Sequence, residues 1–202
     1  RKEVEQHWFR IRKTPAQKLL DRFPRMVRDL ARHLDKRVHF ESTGGELAID
    51  RSLFDALEGI LVHMVRNAVD HGIDSPDERA SASKDPDGLI HLKLAEVPDG
   101  LQVVLEDDGR GINPDIVKER AVQKGLISES EAAQMSRDAA MMLLFRPGFS
   151  TAAHVTDISG RGVGMDAVQT MVVDLGGQVH IASEVGKGTT FTLSFPSAKS
   201  GA

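Results

Sequence analysis

The chain has 202 residues, 40 % of them hydrophobic, which is enough to bury the core of one domain. Its formal net charge of −4 gives no positive field for nucleic acid or an anionic membrane surface, so we predict neither partner. The lack of cysteine excludes disulfides and thiolate metal sites; it suits a reducing compartment and is equally expected where cysteine has no use. Without a bilayer-spanning apolar run or a signal-peptide pattern, we expect a cytoplasmic protein or the cytoplasmic piece of a larger one.

The N-terminal third is predicted to be largely helical. Apolar residues recur at helical spacing in residues 1–13, which indicates an amphipathic helix that needs a partner. A second helix is predicted to begin near Pro15 and to be broken or kinked at Pro24. Asp50 is predicted to cap a long third helix. The apolar face of that helix consists of Leu53, Leu57, Ile60, Leu61, Met64, Val65 and Ala68.

Three pairs of short strands are predicted from alternating patterns and turn residues. Residues 38–41 and 46–49 are expected to form a hairpin across Thr43, Gly44 and Gly45. The other two hairpins are expected from residues 89–97 with 101–105 and from residues 177–183 with 189–195. Further helices are predicted to begin at Asn113 and to cover residues 138–145 and 165–175. Helices with mostly antiparallel strands indicate an α+β fold, in which helices cover one face of a sheet.

Two segments are predicted to be loops. Residues 75–88 are rich in Ser, Asp and Pro and read as a mobile surface loop with a short turn of helix at 76–80. Residues 146–164 are rich in Gly, Ser and Thr, and a loop of this length is typical of a functional lid. Phe145 and Phe149 are expected either to latch such a lid or to lie in the core.

The first chemical motif is residues 63–72, at the end of the long helix. His63 and Asn67 share a face at i, i+4 spacing, and Arg66 and Asp70 flank it. An amide oxygen is a hard, neutral ligand that suits Mg²⁺. The alternative is a polar helix end that only faces solvent.

The second motif, residues 106–112, follows an apolar strand. The carboxylate of Asp107 could accept a hydrogen bond from an exocyclic amine, and the glycines would let a flat base lie against the backbone. The alternative is a generic acidic turn.

The third motif, residues 159–166, is rich in glycine and opens a helix. Backbone amides at a helix N-terminus favour phosphate oxygens, whose approach side chains would block. No strand leads into the motif, so it is not a dinucleotide fingerprint, and the chain has no Walker-type lysine motif.

The fourth motif, residues 186–191, lies in the last predicted hairpin, where it also has a plain structural role as a turn. The Thr189 hydroxyl could additionally lie beside a purine.

These four motifs, in this order, resemble the N, G1, G2 and GT boxes of the GHKL (Bergerat) ATP-binding superfamily, and the chain is similar within it to the chemotaxis (CheA-type) histidine kinases. The similarity extends from about residue 9 to residue 196. It is carried by the segments RFPRMVRDLAR (22–32), HMVRNAVDHGID (63–74), EDDGRGI (106–112), LLFRPGFST (143–151) and SGRGVGMDAV (159–168).

The resemblance implies ATP and Mg²⁺ as cofactors. It implies that Asn67 ligates Mg²⁺, that Asp107 accepts the adenine amine with Gly111 against the base, and that Thr189 lies near the adenine. The ATP-binding residues that it implies are Asn67, Asp70, His71, Asp107, Gly109, Gly111, Gly160, Arg161, Gly162, Val163, Gly164, Met165, Lys187 and Thr189.

The catalytic candidates are His63, Arg66 and Asn67; His63 and Arg66 join Arg161 and Lys187 as possible triphosphate contacts. Most GHKL members carry Glu where this chain has His63, and that Glu is the general base where water is the nucleophile. The substitution disfavours a dedicated hydrolase and fits a kinase whose nucleophile is an imidazole. The alternative for His63 is a helix-end histidine without a catalytic part.

The resemblance also implies the partners and the domain organisation. The phosphoacceptor histidine is expected on a separate phosphotransfer domain, in cis or in trans, with a response regulator receiving the phosphoryl group indirectly. Residues 1–13 are expected to be the tail of a dimerisation or linker helix, residues 14–196 the kinase domain, and residues 197–202 a disordered tail. A homodimer, and contact with receptor and coupling proteins, are expected of the full-length kinase.

The implied fold is a two-layer sandwich of about three main helices on a mixed, mainly antiparallel sheet, with a mobile ATP lid at residues 146–160. Two rival functions remain at this point. One is a GHKL ATPase of the gyrase, MutL or chaperone kind, and the other is a regulatory module that has lost nucleotide.

Overall fold

The structure is a computed structural model, which describes residues 13–149 and 164–197. Its strands are β1 (Lys13–Pro15), β2 (Val38–Thr43), β3 (Ala48–Asp50), β4 (Gly88–Val97), β5 (Gly100–Asp107), β6 (Gln178–Glu184) and β7 (Gly188–Pro196). Its α-helices are α1 (Gln17–Leu20), α2 (Phe23–His33), α3 (Arg51–Asn67), α4 (Pro76–Ser81), α5 (Pro114–Gln123), α6 (Glu129–Gln134), α7 (Arg137–Met142) and α8 (Met165–Asp174). A π-helical turn (Ala68–Gly72) follows α3, and a 3₁₀ turn (Leu143–Phe145) follows α7.

Five strands form the main sheet, in the order β2-β4-β5-β7-β6. β2 pairs with β4 in parallel, and the other three pairs are antiparallel. The mixed, mainly antiparallel sheet predicted from the sequence is therefore confirmed. β5 is the central strand. The acidic residues at its C-terminal end therefore lie midway across the sheet, at the end of the strands and far from both edge strands.

The main core lies between one face of this sheet and helices α2, α3 and α8. Asp50 caps α3 as predicted, because its Oδ1 accepts a hydrogen bond from the Ser52 amide at 2.9 Å. The predicted apolar face of α3 is buried except for the half-buried Leu53. Three helices on a sheet confirm the predicted two-layer α+β sandwich.

Smaller clusters lie around α5 and α7. Phe149 is buried there with Val117 and Ala121 of α5, and Phe145 packs edge-to-face on Phe191 with ring centroids 6.4 Å apart. In this structure both phenylalanines are therefore core residues, which was one of the two expectations for them.

The predicted hairpin of residues 38–41 with 46–49 is wrong. β2 pairs with β4 instead, and β3 pairs with β1 in a separate two-stranded sheet. The chain turns away from β2 at Gly44, which has a positive φ of 89° and lies so close to Leu94 that a Cβ would overlap the Leu94 carbonyl oxygen. Local turn residues suggested a hairpin, whereas the actual partners of both strands are distant in sequence.

The helix near the N-terminus is broken as predicted, into α1 (Gln17–Leu20) and α2 (Phe23–His33). Pro24 lies in the first turn of α2, where its missing N–H costs no hydrogen bond, and Pro15 itself ends β1, two residues before α1 begins. Helix α6 was not predicted, although Ser128 and Glu131 form a capping box at its start. The short helix α4 confirms the turn of helix expected near residues 76–80.

Several predictions fall outside the described residues. These are the amphipathic helix of residues 1–12, the lid from residue 150 to residue 160, and the tail from residue 198. Lys13, expected at the end of the N-terminal helix, is instead the first residue of β1. Within residues 13–149 and 164–197, no helix is both long and apolar enough to cross a membrane.

Candidate nucleotide-binding site

The first motif occupies the last turn of α3 and the π-helical turn that follows it. A π turn widens the backbone and is frequent at functional sites. Its carbonyl groups at Val69 and Asp70 accept hydrogen bonds from Nζ of Lys36, at 2.9 and 2.5 Å. Lys36 therefore fixes the end of this helix. Local sequence patterns could not predict this role, because Lys36 lies 33 residues before Val69.

Asn67 is the last residue of α3, and its amide nitrogen faces two neighbours. Nδ2 lies 2.9 Å from Nε2 of His63 and 3.3 Å from Sδ of Met165. Because an amide nitrogen only donates, Nε2 of His63 is the acceptor and carries no proton here. The described residues place no hydrogen-bond donor on Oδ1 of Asn67, so that oxygen is the atom left for a metal or nucleotide.

The His63 ring is partly buried beside a positive charge. Burial is the main cause that lowers the pKa of His63, and the Arg66 guanidinium lowers it further. His63 is therefore neutral near pH 7, which agrees with its role as acceptor for Asn67. His71 is exposed, with Nε2 3.7 Å from Oδ2 of Asp70, and makes no comparable contact with Asn67.

Asp107 ends the central strand β5 and is the chemical centre of the second motif. Its Oδ1 accepts the Gly109 backbone N–H at 3.0 Å, and Thr189 of β7 is its partner in the sheet register. Burial raises the pKa of Asp107 to about 6, although backbone hydrogen bonds from Gly109 and Thr189 act in the opposite direction. The carboxylate is thus partly desolvated and has acceptor capacity left for a ligand.

The glycines of the second motif let three backbone segments approach each other closely. A Cβ at Gly109 would overlap the carbonyl oxygen of Gly72, which also accepts the Arg110 amide at 3.0 Å. Gly111 has φ of +68°, and a Cβ there would overlap the carbonyl oxygen of Glu184. Both glycines are therefore needed for contacts within the protein, whether or not a base lies against them.

The fourth motif joins the second through Ser183, which the sequence analysis did not single out. Its hydroxyl accepts the Ile112 amide at 2.8 Å, donates to the Gly188 carbonyl at 2.8 Å, and lies 2.9 Å from the Thr189 hydroxyl. Thr189 is 5 % exposed and lies beside Asp107, with which it pairs in the register of β5 and β7. Nothing local marks Ser183, since Ile112 is 71 residues away.

The structure brings three motifs together and leaves part of the third undescribed. Gly164 caps α8, and Met165 contacts Asn67, so the end of the third motif lies beside the first. Gly160, Arg161, Gly162 and Val163 lie outside the described residues. Lys187 is not drawn into the site: its side chain is 73 % exposed and its Nζ pairs with Glu184 at 2.8 Å.

The donor set fits a nucleotide with its own metal better than a metal held by protein alone. Among the residues that the structure describes, no group of three or more His, Asp or Glu side chains could hold a metal ion. Mg²⁺ commonly takes one or two protein oxygens and completes its shell with phosphate and water. The amide oxygen of Asn67, which accepts no hydrogen bond from the described residues, matches that chemistry, and the partly desolvated carboxylate of Asp107 is a separate acceptor for an amine.

Residues 55–199 match the family model described as histidine kinase-, DNA gyrase B- and HSP90-like ATPase. The chain is 43 % identical over 186 residues to the chemotaxis protein CheA of Halobacterium salinarum, covering 92 % of this chain and 28 % of that protein. It is 41 % identical over 194 residues to the gliding motility regulatory protein of Myxococcus xanthus, covering 96 % and 25 %. The chain thus spans about a quarter of the length of these relatives.

Solved structures of histidine kinases share the fold. The catalytic domain of ThkA superposes with a TM-score of 0.55 at 14 % identity, covering 91 % of this chain and 93 % of that chain. Full-length ShkA in complex with AMPPNP gives a TM-score of 0.55 at 18 % identity, covering 91 % and 31 %. The fold and the close approach of three motifs agree with this similarity. Because the family model matches residues 55–199, the chain belongs to the family of histidine kinase-, DNA gyrase B- and HSP90-like ATPases.

Proposed function

We propose that this chain is the ATP-binding catalytic domain of a CheA-type histidine kinase. In this proposal it binds Mg·ATP and transfers the γ-phosphoryl group to a histidine on a separate phosphotransfer domain, in cis or in trans, from which a response regulator is phosphorylated. The observation that carries the proposal is the partly desolvated carboxylate of Asp107 beside Thr189. It lies next to the turn that follows Asn67, because a Cβ at Gly72 would be 3.2 Å from both Asp107 carboxylate oxygens. The similarity to CheA proteins and the adenine nucleotide held by ShkA support it.

Each residue has a defined part in this proposal. Asp107 accepts the adenine amine, and Asn67 presents Oδ1 to Mg²⁺, which would neutralise charge on the phosphates. Neutral His63 keeps the Asn67 amide turned in this direction through the 2.9 Å contact. In the transfer, the bond between the γ-phosphorus and the bridging oxygen breaks, a bond from phosphorus to an imidazole nitrogen forms, and ADP leaves.

The proposal extends to the setting of the domain. We place it in the cytoplasm, as part of a dimeric kinase whose other domains contact receptor and coupling proteins. Gly160, Gly162 and Gly164 are proposed to bind the phosphates through their backbone amides, with Arg161 and Val163 in the same nucleotide-binding segment.

The test combines calorimetry with a transfer assay. Titration with ATP and GTP in the presence of Mg²⁺ should show strong preference for ATP, because the O6 of guanine would face the carboxylate of Asp107. Asp107→Asn should weaken ATP binding more than tenfold, about 1.4 kcal/mol or more, with the fold intact by circular dichroism. Equal affinity for ATP and GTP would sink the adenine assignment.

Addition of a purified CheA phosphotransfer domain and radiolabelled ATP then separates the rival functions. Label on that domain indicates a kinase, and free phosphate without label on protein indicates an ATPase. Lack of nucleotide binding would indicate a regulatory module.

A further inference from the structure

Arg79 is a buried charge that the proposed chemistry does not use. It lies on α4, and among the described residues it is the one charged side chain that is buried, at 1 % exposure. A buried guanidinium is strongly unfavourable unless its donors are satisfied. The groups that accept hydrogen bonds from the Arg79 guanidinium are therefore held in fixed positions.

The guanidinium holds the turn that follows β5. Nη1 and Nη2 donate to Oδ1 and Oδ2 of Asp108 at 3.0 and 2.7 Å, which is a bidentate ion pair. Nη1 also donates to the Asp108 carbonyl at 3.2 Å. The remaining donors, Nε and Nη2, reach the carbonyl groups of Asp85 at 2.6 Å and Asp87 at 3.3 Å.

Lys84 and the backbone amide of Leu89 add further hydrogen bonds to the same turn. We call the contacts of Arg79, Lys84 and Leu89 with Asp108 and Gly109 the clamp. Nζ of Lys84 donates to the carbonyl groups of Asp108 and Gly109, each at 2.6 Å. Oδ1 of Asp108 also accepts the Leu89 amide at 2.8 Å, and the Asp108 amide donates to the Leu89 carbonyl at 3.1 Å. The backbone of Asp108 and Gly109 is thus fixed by contacts with residues 79–89.

This clamp acts on the residue that precedes it. The Gly109 amide donates to Oδ1 of Asp107 at 3.0 Å, while Gly109 itself is packed against the carbonyl of Gly72. A small displacement of Asp108 would therefore move the N–H that orients the Asp107 carboxylate.

We propose that Arg79 is a positioning residue for nucleobase recognition: through Asp108 and Gly109 it holds the Asp107 carboxylate in the orientation that selects adenine. The proposal rests on the proposed function, because it takes Asp107 as the group that reads the base. It assigns a role in base selection to residues 75–88, a segment that is predicted from the sequence to be a surface loop.

The first test measures base selectivity in folded variants. Arg79→Lys keeps the charge but cannot form the bidentate pair, and Asp108→Asn keeps the shape but lacks the charge. Calorimetry at a temperature well below each variant's Tm should show the ratio of ATP to GTP affinity reduced about fivefold or more in both variants. The matched control is Lys93→Met, which removes a 2.8 Å ion pair between Lys93 of β4 and Glu106 of β5. This variant should leave the ratio of ATP to GTP affinity unchanged.

The second test needs no nucleotide. In NMR titrations of side-chain carboxyl groups, the pKa of Asp107 should rise in Arg79→Lys, because displacement of the Gly109 N–H removes a hydrogen bond that lowers this pKa. The variant keeps the positive charge at position 79, so a rise cannot be ascribed to the loss of that charge. A lower Tm with an unchanged ATP to GTP ratio in both variants, and an unchanged Asp107 titration in Arg79→Lys, would overturn the proposal; the titration is read in Arg79→Lys alone because Asp108→Asn removes a charge that itself raises the pKa of Asp107. If the wild-type chain binds no ATP while Asp107 shifts as expected, the proposed function fails and the positioning of the carboxylate by Arg79 stands.

Discussion

At the residue scale, the raised pKa of Asp107 should make ATP binding depend on pH. Either oxygen of a carboxylate can accept a hydrogen bond from the adenine amine. A protonated carboxyl group instead carries an O–H donor, which faces the N–H donors of the amine. Because the pKa is raised from 3.8 to about 6, protonation is favoured in the ligand-free folded state below about pH 6. ATP affinity should therefore fall about tenfold from pH 7.5 to pH 5, as measured by calorimetry.

The control for this prediction is Asp107→Asn. ATP itself titrates in the same range, and the variant reports that contribution because its amide does not ionise. The two proteins should differ in affinity at pH 7.5 and converge toward pH 5. Parallel pH curves would mean that Asp107 does not contact the base in its ionised form.

A second residue-scale prediction concerns Asn67. Asn67→Ala removes the amide oxygen proposed for Mg²⁺, so phosphoryl transfer should fall by about 100-fold or more. Binding of metal-free ATP, measured with EDTA present, should change less than about threefold because the adenine contacts remain. Wild-type transfer rates in Asn67→Ala would refute the metal-ligand role.

The residues found from the sequence and those missed differ in how far away their partners lie. His63 and Asn67 are one helical turn apart, so their shared face follows from local spacing and the 2.9 Å contact agrees with it. Arg79 contacts Asp108 across 29 residues, and Ser183 contacts Ile112 across 71. Local patterns carry no signal for such contacts, because they depend on how the elements pack.

At the element scale, the π-helical turn after α3 should depend on Lys36. Burial lowers the pKa of Lys36, yet its ammonium group satisfies the carbonyl groups of Val69 and Asp70. Lys36→Met would leave both carbonyls without this donor and should destabilise the domain by about 1–3 kcal/mol in urea unfolding. Lys18→Met, at an exposed position of α1, is the control and should stay within about 0.5 kcal/mol of wild type.

ATP binding provides a second measure of the Lys36 contact. If the turn carries Asn67 in the correct place, Lys36→Met should also weaken Mg·ATP binding, whereas Lys18→Met should not. Unchanged stability and affinity in Lys36→Met would show that the turn holds its shape without the ammonium group.

Elements were predictable where the pattern was long and local. The seventeen residues of α3 have a cap, an apolar face and a following glycine, and the hairpin of β6 and β7 has turn residues between two alternating runs. The predicted pairing of β2 was wrong because six alternating residues define a strand without defining its partner. Its parallel pairing with β4 is stabilised by the core beneath both strands, which the local sequence does not contain.

At the scale of the whole molecule, the sandwich brings motifs that are distant in sequence next to one another: Gly72 of the first lies against Asp107 of the second, and Asn67 contacts Met165 of the third. The fold class was predictable from the helix and strand patterns and the family from the order of the motifs, and both predictions are confirmed by the sheet topology and the match over residues 55–199. The roles of individual residues stay predictions. They depend on groups that approach one another only after α3, β5, β7 and α8 have packed together.

The last prediction concerns the stability of the whole domain in the presence of nucleotide. A ligand that binds only the folded state at 100 times its Kd stabilises it by about 2.7 kcal/mol, which for a chain of this size raises Tm by about 5–10 °C. We expect this rise with Mg·ATP at pH 7.5, and a smaller rise with GTP at the same concentration because Asp107 disfavours guanine. Asp107→Asn should narrow the difference between the two nucleotides, since a neutral amide can both donate and accept. Equal shifts of Tm for ATP and GTP in the wild-type domain would mean that the phosphates provide all the binding and that the carboxylate at the end of β5 reads no base.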